Sequence, residues 1–175
     1  MITKDNIYKV MKLFFDSPDK SFYIREISRI TRLSPPGVIK IISKLKKEKL
    51  LKSEKTKTVE NISAIRDGKF MQLKRAYNML SVEESGLTSL IREKYEEPEA
   101  IILFGSYSRG EDTSKSDIDI AIVTKKRLDI DLSRFERALK RKISVHEIQL
   151  KDSEKEFINS LANGIVIYGY LKVLQ

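Results

Sequence analysis

Apolar positions in the first third of the chain recur at helical spacing. Ile7, Val10, Met11, Phe14 and Phe15 predict a helix that ends near Asp16, ahead of Pro18. After Ser21-Phe22-Tyr23 a second helix turns Ile24, Ile27 and Ile30 inward. Leu33-Ser34-Pro35-Pro36 then leads into a third, with Ser34 as its N-cap and Pro35 in the first helical position. Val38, Ile41, Ile42 and Leu45 form the inner stripe of that helix, and Lys40, Ser43, Lys44 and Lys47 lie opposite. Residues 50–53 and 59–62 read as short strands around the basic tip Glu54-Lys55-Thr56-Lys57-Thr58. Residues 66–99 read as a helical connector: Phe70, Leu73, Ala76, Tyr77 and Leu80 repeat at helical spacing, then Val82, Leu87, Leu90, Ile91 and Tyr95. Gly86 interrupts this run and Pro98 stops it.

The pattern then changes period. Ile101 to Phe104 is a continuous apolar run that reads as a buried strand, and a Gly105-Ser106 turn and a polar loop follow. From Asp117 to Val123 acidic or small residues alternate with Ile118, Ile120 and Ile122, which predicts a second strand. Leu132, Phe135, Ala138 and Leu139 mark a helix, 143–150 a third strand, and Phe157, Ile158 and Leu161 another helix ended by Asn163-Gly164. Residues 165–168 form a last strand. The second half thus reads as a small α/β domain of about four strands with helices on one face.

Charge separates the two halves. The chain of 175 residues carries a net +9, of which residues 1–80 hold +11 and residues 81–175 hold −2. Three helices, the last one basic, followed by a hairpin with a basic tip, resemble a winged helix-turn-helix domain over residues 1–65. That resemblance implies duplex DNA contact through Lys40, Ser43, Lys44, Lys47, Lys55 and Lys57. Lysines mostly meet phosphates, and the outer face of the third helix offers no Arg, Asn or Gln for bidentate base reading. With no Cys and a single His146, disulfides, thiolate metal sites and multi-histidine sites are excluded. No apolar run approaches a membrane span and the start does not read as a signal peptide, so a soluble, cytoplasmic protein is expected. The oligomeric state is open, and a homodimer is compatible with the sequence.

The candidate chemistry lies between residues 101 and 124. Side chains two apart on a strand share a face, so Asp117 and Asp119 project together while their isoleucine neighbours enter the core. No Lys or Arg occupies positions 117–123, and two carboxylates on one face call for a cation between them. Mg²⁺ (or Mn²⁺) fits, because it is held through one or two carboxylates plus substrate phosphate oxygens. Gly105 permits close backbone approach to a phosphate, and Ser106 with the amides after it supplies donors.

Phe104-Gly105-Ser106, ten residues, then Asp117-Ile118-Asp119-Ile120, with Arg109, Gly110, Glu111 and Ser116 between, is similar to the minimal branch of the DNA polymerase β-like nucleotidyltransferases. The resemblance implies a two-domain α+β protein: winged helix-turn-helix at 1–65, connector at 66–99, and a nucleotidyltransferase domain with a small mixed sheet at 100–175. It implies a Mg²⁺-dependent transfer of a nucleoside monophosphate from an NTP, with ATP favoured, to an acceptor that can be a protein, often in toxin–antitoxin pairs. Asp117 and Asp119 would be the catalytic and metal-holding residues, and Gly105, Ser106, Arg109 and Ser116 the nucleotide-binding ones. Active members carry a third carboxylate on the strand corresponding to 143–150, and the alignment puts Ser144 in its place. Ser144, His146 and Glu147 are the contributors that strand offers, with Glu147 on the apolar face by parity. The alternative is a DNA-binding regulator whose nucleotidyltransferase domain senses nucleotide without catalysis.

Overall fold

The computed structural model describes residues 5–55 and 59–172. The chain divides into two compact units, Met1–Gln72 and Leu73–Gln175. The first contains α1 (Asn6–Asp16), β1 (Ser21–Tyr23), α2 (Ile24–Thr31), α3 (Pro35–Lys47), β2 (Leu51–Lys55) and β3 (Glu60–Ala64). Asp5 caps α1 by accepting from the Ile7 amide, and Ser34 caps α3 by accepting from Gly37, with Pro35 in the first turn. Val38, Ile42 and Leu45 are buried and Ile41 is half-buried, so the inner stripe of α3 lies where the pattern places it.

Two details differ from the sequence reading. Residues 21–23 form a strand, which pairs antiparallel with β3 and completes a sheet of order β1-β3-β2. Ile30 is 48% exposed. Steps of three drift by about 60° per step around a helix, and the short α2 ends at Thr31 before that drift is corrected.

The second unit is built on the mixed sheet β6-β5-β4-β7, so the protein is α+β. Its strands are β4 (Ala100–Phe104), β5 (Ile118–Val123), β6 (Ile143–Ile148) and β7 (Ile165–Gly169). β4 lies antiparallel to both β5 and β7, and β5 lies parallel to β6. Its helices are most of α4 (Gly68–Ser85), then α5 (Leu87–Lys94), the short α6 (Gly105–Arg109), α7 (Ser133–Leu139) and α8 (Lys155–Ala162).

Helices cover both faces of this sheet, where one face was expected. Ile101, Leu103, Ile118, Ile120 and Ile122 pack with Val82 of α4, Leu87 and Ile91 of α5, its C-cap Tyr95, and Phe135 of α7. Ala100, Ile102, Phe104, Ala121 and Val123 pack on the other side with Leu161 and Phe157 of α8. The cause is β4 itself, apolar at all five positions and therefore in need of cover on both faces. Residues 73–99, read from sequence as connector, thus supply one wall of this core. No helix among the described residues is long and apolar enough to cross a membrane.

Candidate active site

Gly105 ends β4 and opens α6 with φ +70°, a conformation that disfavours any side chain. A Cβ at this position would stand 2.3 Å from the Asp119 Oδ2. The glycine turn and the paired-aspartate strand therefore meet, as the register Phe104↔Asp119 requires. Asp119 is half-buried and Asp117 is exposed immediately before β5. Burial raises the Asp119 carboxyl above its ordinary range; the charge of His146 opposes that rise and the charge of Asp117 adds to it.

On the parallel neighbour β6, Ser144 is the register partner of Asp119, and His146 of Ala121. Both share the aspartate face. The His146 ring is exposed and stands 5.3 Å from that of Phe104 and 6.0 Å from that of Phe157. Glu147 is the partner of Ile122 and faces the opposite core. There it accepts from the Tyr95 hydroxyl and from the Leu128 amide, each at 2.6 Å. Burial first, then this hydrogen bond, hold the Tyr95 phenol well above its usual range. Glu147 is thus separated from the cleft by the sheet, and among the three candidates on β6 it serves the packing of α5 and the 124–132 loop.

The loop from Gly110 to Asp117 is held from inside. Arg109 Nε donates to Glu111 at 2.7 Å on the surface, and the Thr113 amide donates to Ser116 Oγ at 3.0 Å, so both residues serve the loop's own geometry. Below them Asp112 is fully buried. It pairs with Lys74 Nζ at 2.8 Å and accepts from Asn78 Nδ2 at 2.8 Å, and Arg141 Nη2 lies 3.5 Å away. Asn78 also donates to the Tyr107 carbonyl at 2.8 Å, which ties α6 to α4.

Sequence reasoning missed this cluster and placed Leu73 and Ala76 on the inner face of α4. Both are exposed, while Lys74 is 1% exposed. The available signal was Lys74 and Asn78 at i, i+4 between Phe70 and Val82, four positions that share a helix face.

The donor types fit a hard cation. Asp117 and Asp119 offer carboxylate oxygens beside a glycine turn, and no group of three or more acidic, His or Cys side chains able to hold a metal exists among the described residues.

In the first unit, Lys40, Ser43, Lys44 and Lys47 are all exposed on α3, and Lys55 is exposed at the end of β2. Lys57 lies outside the described residues.

Two strands thus flank a glycine turn that lies against Asp119, with Asp117 exposed immediately before the second strand. Residues 88–171 match the family described as polymerase β nucleotidyltransferase. Over 62 residues the chain is 39% identical to the protein adenylyltransferase MntA of Shewanella oneidensis; this covers 35% of the chain and 44% of that protein. The chain therefore spans less than half the length of this curated relative. Among solved structures, a mutant of Lactococcus lactis ZitR is 16% identical at a TM-score of 0.39, over 50% of this chain and 60% of that one. A toxin–antitoxin structure with AMP-PNP is 23% identical at the same TM-score, over 53% and 74%. At that score neither likeness bears on fold or function.

Proposed function

We propose that the protein is a Mg²⁺-dependent nucleotidyltransferase that moves a nucleoside monophosphate from an NTP, ATP for preference, to an acceptor hydroxyl and releases pyrophosphate. The observation that carries this reading is that Gly105 leaves room for the Asp119 carboxylate, which a Cβ at that position would strike, so the phosphate-approach turn adjoins a candidate metal ligand. Gly105, Ser106 and the amides after them would receive phosphate oxygens, and Asp117 with Asp119 would hold Mg²⁺. The metal would neutralise charge that develops on the phosphates. Arg109 would adjust the loop through Glu111. The name of the 39%-identical relative supports an adenylyl donor.

Asp117→Asn and Asp119→Asn are each expected to abolish Mg²⁺-dependent ATP binding in titration calorimetry. Asp119→Asn should melt no lower than wild type without metal. A carboxylate whose folded pKa is raised costs stability once ionised, and that cost is relieved as pH falls through the raised pKa. The melting advantage of Asp119→Asn should accordingly shrink as the pH is lowered into that window. A collapse of its melt at neutral pH would assign Asp119 to the structural core instead.

We also read residues 1–65 as a winged helix-turn-helix domain that binds duplex DNA. The order helix, strand, helix, helix, hairpin and the exposed lysines on α3 support this. If four or five phosphates are neutralised, log K should fall against log[salt] with a slope of about −4. Flat salt dependence, or unchanged binding after Lys40→Ala, Lys44→Ala and Lys47→Ala together, would remove the reading.

The nucleotide sensor without catalysis keeps one specific support: a serine at the position beside Asp119 where the family resemblance implies an acid.

A further inference from the structure

β5 and β6 run parallel side by side, and the Thr124 amide donates to the Ile148 carbonyl at 2.9 Å where the pair ends. Beyond that point the chain leaves in opposite directions. The segment after β5 leads to α7, whose Phe135 packs on one face of the sheet, whereas the segment after β6 leads to α8, whose Leu161 packs on the other. Adjacent strands whose connections diverge in this way leave a crevice outside their carboxyl ends, the place where open α/β sheets take their ligands. Here the crevice is a cavity of about 260 Å³. Val123, Ile148 and Leu150 supply its apolar wall, continuous with the core on the α8 side. At about 3.4 Å per residue, Thr124 at the wall lies about 17 Å along the strand from Asp119, so the crevice sits at the opposite end of the sheet from the candidate active site.

Three cations line the crevice: Lys125 after β5, Lys151 in the turn after β6, and Lys172 after β7. All three are exposed, and none is paired with an acid among the described residues. The acid that shares the lining is Glu99. Its carbonyl accepts from the Tyr170 amide at 3.1 Å, which ties the segment carrying Lys172 to the start of β4. We propose that this crevice binds a small phosphate monoester with an apolar body. The inference is independent of the nucleotidyltransferase reading.

Charge, donor type and volume each narrow the occupant. Three lysines and one carboxylate leave an excess of two positive charges, which suits a phosphate monoester of about −1.5 to −2 at neutral pH better than a monocarboxylate. All three cations are lysines, which meet phosphate as point charges and lack the planar fork with which arginine grips a carboxylate. Thr124 adds a directed donor: its Oγ1 accepts from the Lys126 amide at 3.1 Å, and its own hydrogen is available to a phosphate oxygen. The apolar wall favours a monoester over inorganic phosphate, because carbon placed against it leaves water. The volume falls just below the range of about 300–1,000 Å³ that holds drug-sized ligands, so the body is a small one, and a macromolecule is too large to enter.

The test titrates the isotope-labelled full chain with phenyl phosphate, inorganic phosphate, benzoate and benzyl alcohol in separate arms, without nucleotide, and follows the backbone amides by NMR. Phenyl phosphate is expected to give saturable shifts at residues 123–125 and 148–151. Its affinity should exceed those of inorganic phosphate and benzoate several-fold, and benzyl alcohol should shift nothing. Lys125→Gln with Lys151→Gln should weaken phenyl phosphate by roughly tenfold or more, the loss of two charge-assisted contacts, with the amide spectrum elsewhere unchanged. Asp119→Asn should leave the affinity as it is, because the two ends of β5 are separate sites. Shifts centred on residues 104–110 would place the phosphate at the glycine turn and overturn the inference. Equal affinity for inorganic phosphate, or a double lysine variant that binds as wild type does, would overturn it as well.

Discussion

Asp112→Ala is expected to destabilise the protein by about 3–5 kcal/mol, the usual cost of leaving one member of a buried ion pair without its partner. Lys74 is 1% exposed and Asp112 0%, so neither water nor a surface counterion can take the place of the lost charge. Asn78 loses an acceptor in the same substitution, and Arg141 loses the carboxylate beside it. The double change Lys74→Met with Asp112→Leu should recover a large part of the loss, because an apolar pair of similar volume removes the desolvation cost on both sides. Urea denaturation of the three proteins measures this directly. If Asp112→Ala costs less than about 1 kcal/mol, the range of exposed pairs, the cluster is not the internal support described above. A second consequence separates positioning from bulk stability. Asp112 anchors the loop that ends at Asp117, so Asp112→Ala should weaken MgATP binding even where the variant is fully folded. The Lys74→Met, Asp112→Leu protein should bind MgATP at an intermediate level.

That cluster also marks where sequence reasoning stops. The strand, glycine turn and strand around Gly105 were legible because each depends on local rules: a continuous apolar run, a glycine, and alternation of period 2. The face shared by Asp119 and Ser144, opposite Glu147, followed from parity alone. Lys74 was not legible, since a lysine in an amphipathic pattern counts as surface. It is internal only because Asp112, 38 residues away, comes beneath α4. The strand at 21–23 failed for a similar reason: three residues carry no period, and the strand exists because β3 pairs with it. The cover on the second sheet face could have been inferred from β4, whose five apolar positions leave no solvent side. Non-local partners, and not weak propensities, account for these misses.

Ser144→Asp is expected to raise nucleotidyl transfer, or to create it, by up to about 10²–10⁴-fold, the range of a positioned general base. Ser144 and Asp119 are register partners on adjacent parallel strands, so a carboxylate at 144 would stand on the same face beside the first two. Three carboxylates in one place repel, and the repulsion gives a readout independent of catalysis. Without metal the variant should melt below wild type, and Mg²⁺ should raise its melting temperature by more than it raises that of wild type. His146 bears on the size of the rate effect. It lies on the same face as Asp119 with its ring exposed, and an imidazole there already offers a weak base. His146→Ala in the Ser144→Asp background should therefore cost little, whereas in wild type it should remove most of any residual transfer. Glu147→Gln is the opposing control. It weakens the contacts to Tyr95 and Leu128, so its effect should fall on stability with MgATP binding unchanged. A wild type that transfers nucleotide rapidly and loses that activity in Glu147→Gln would show that β6 slips by one residue when substrate binds. Such a slip would carry Glu147 to the aspartate face and remove Ser144 from it.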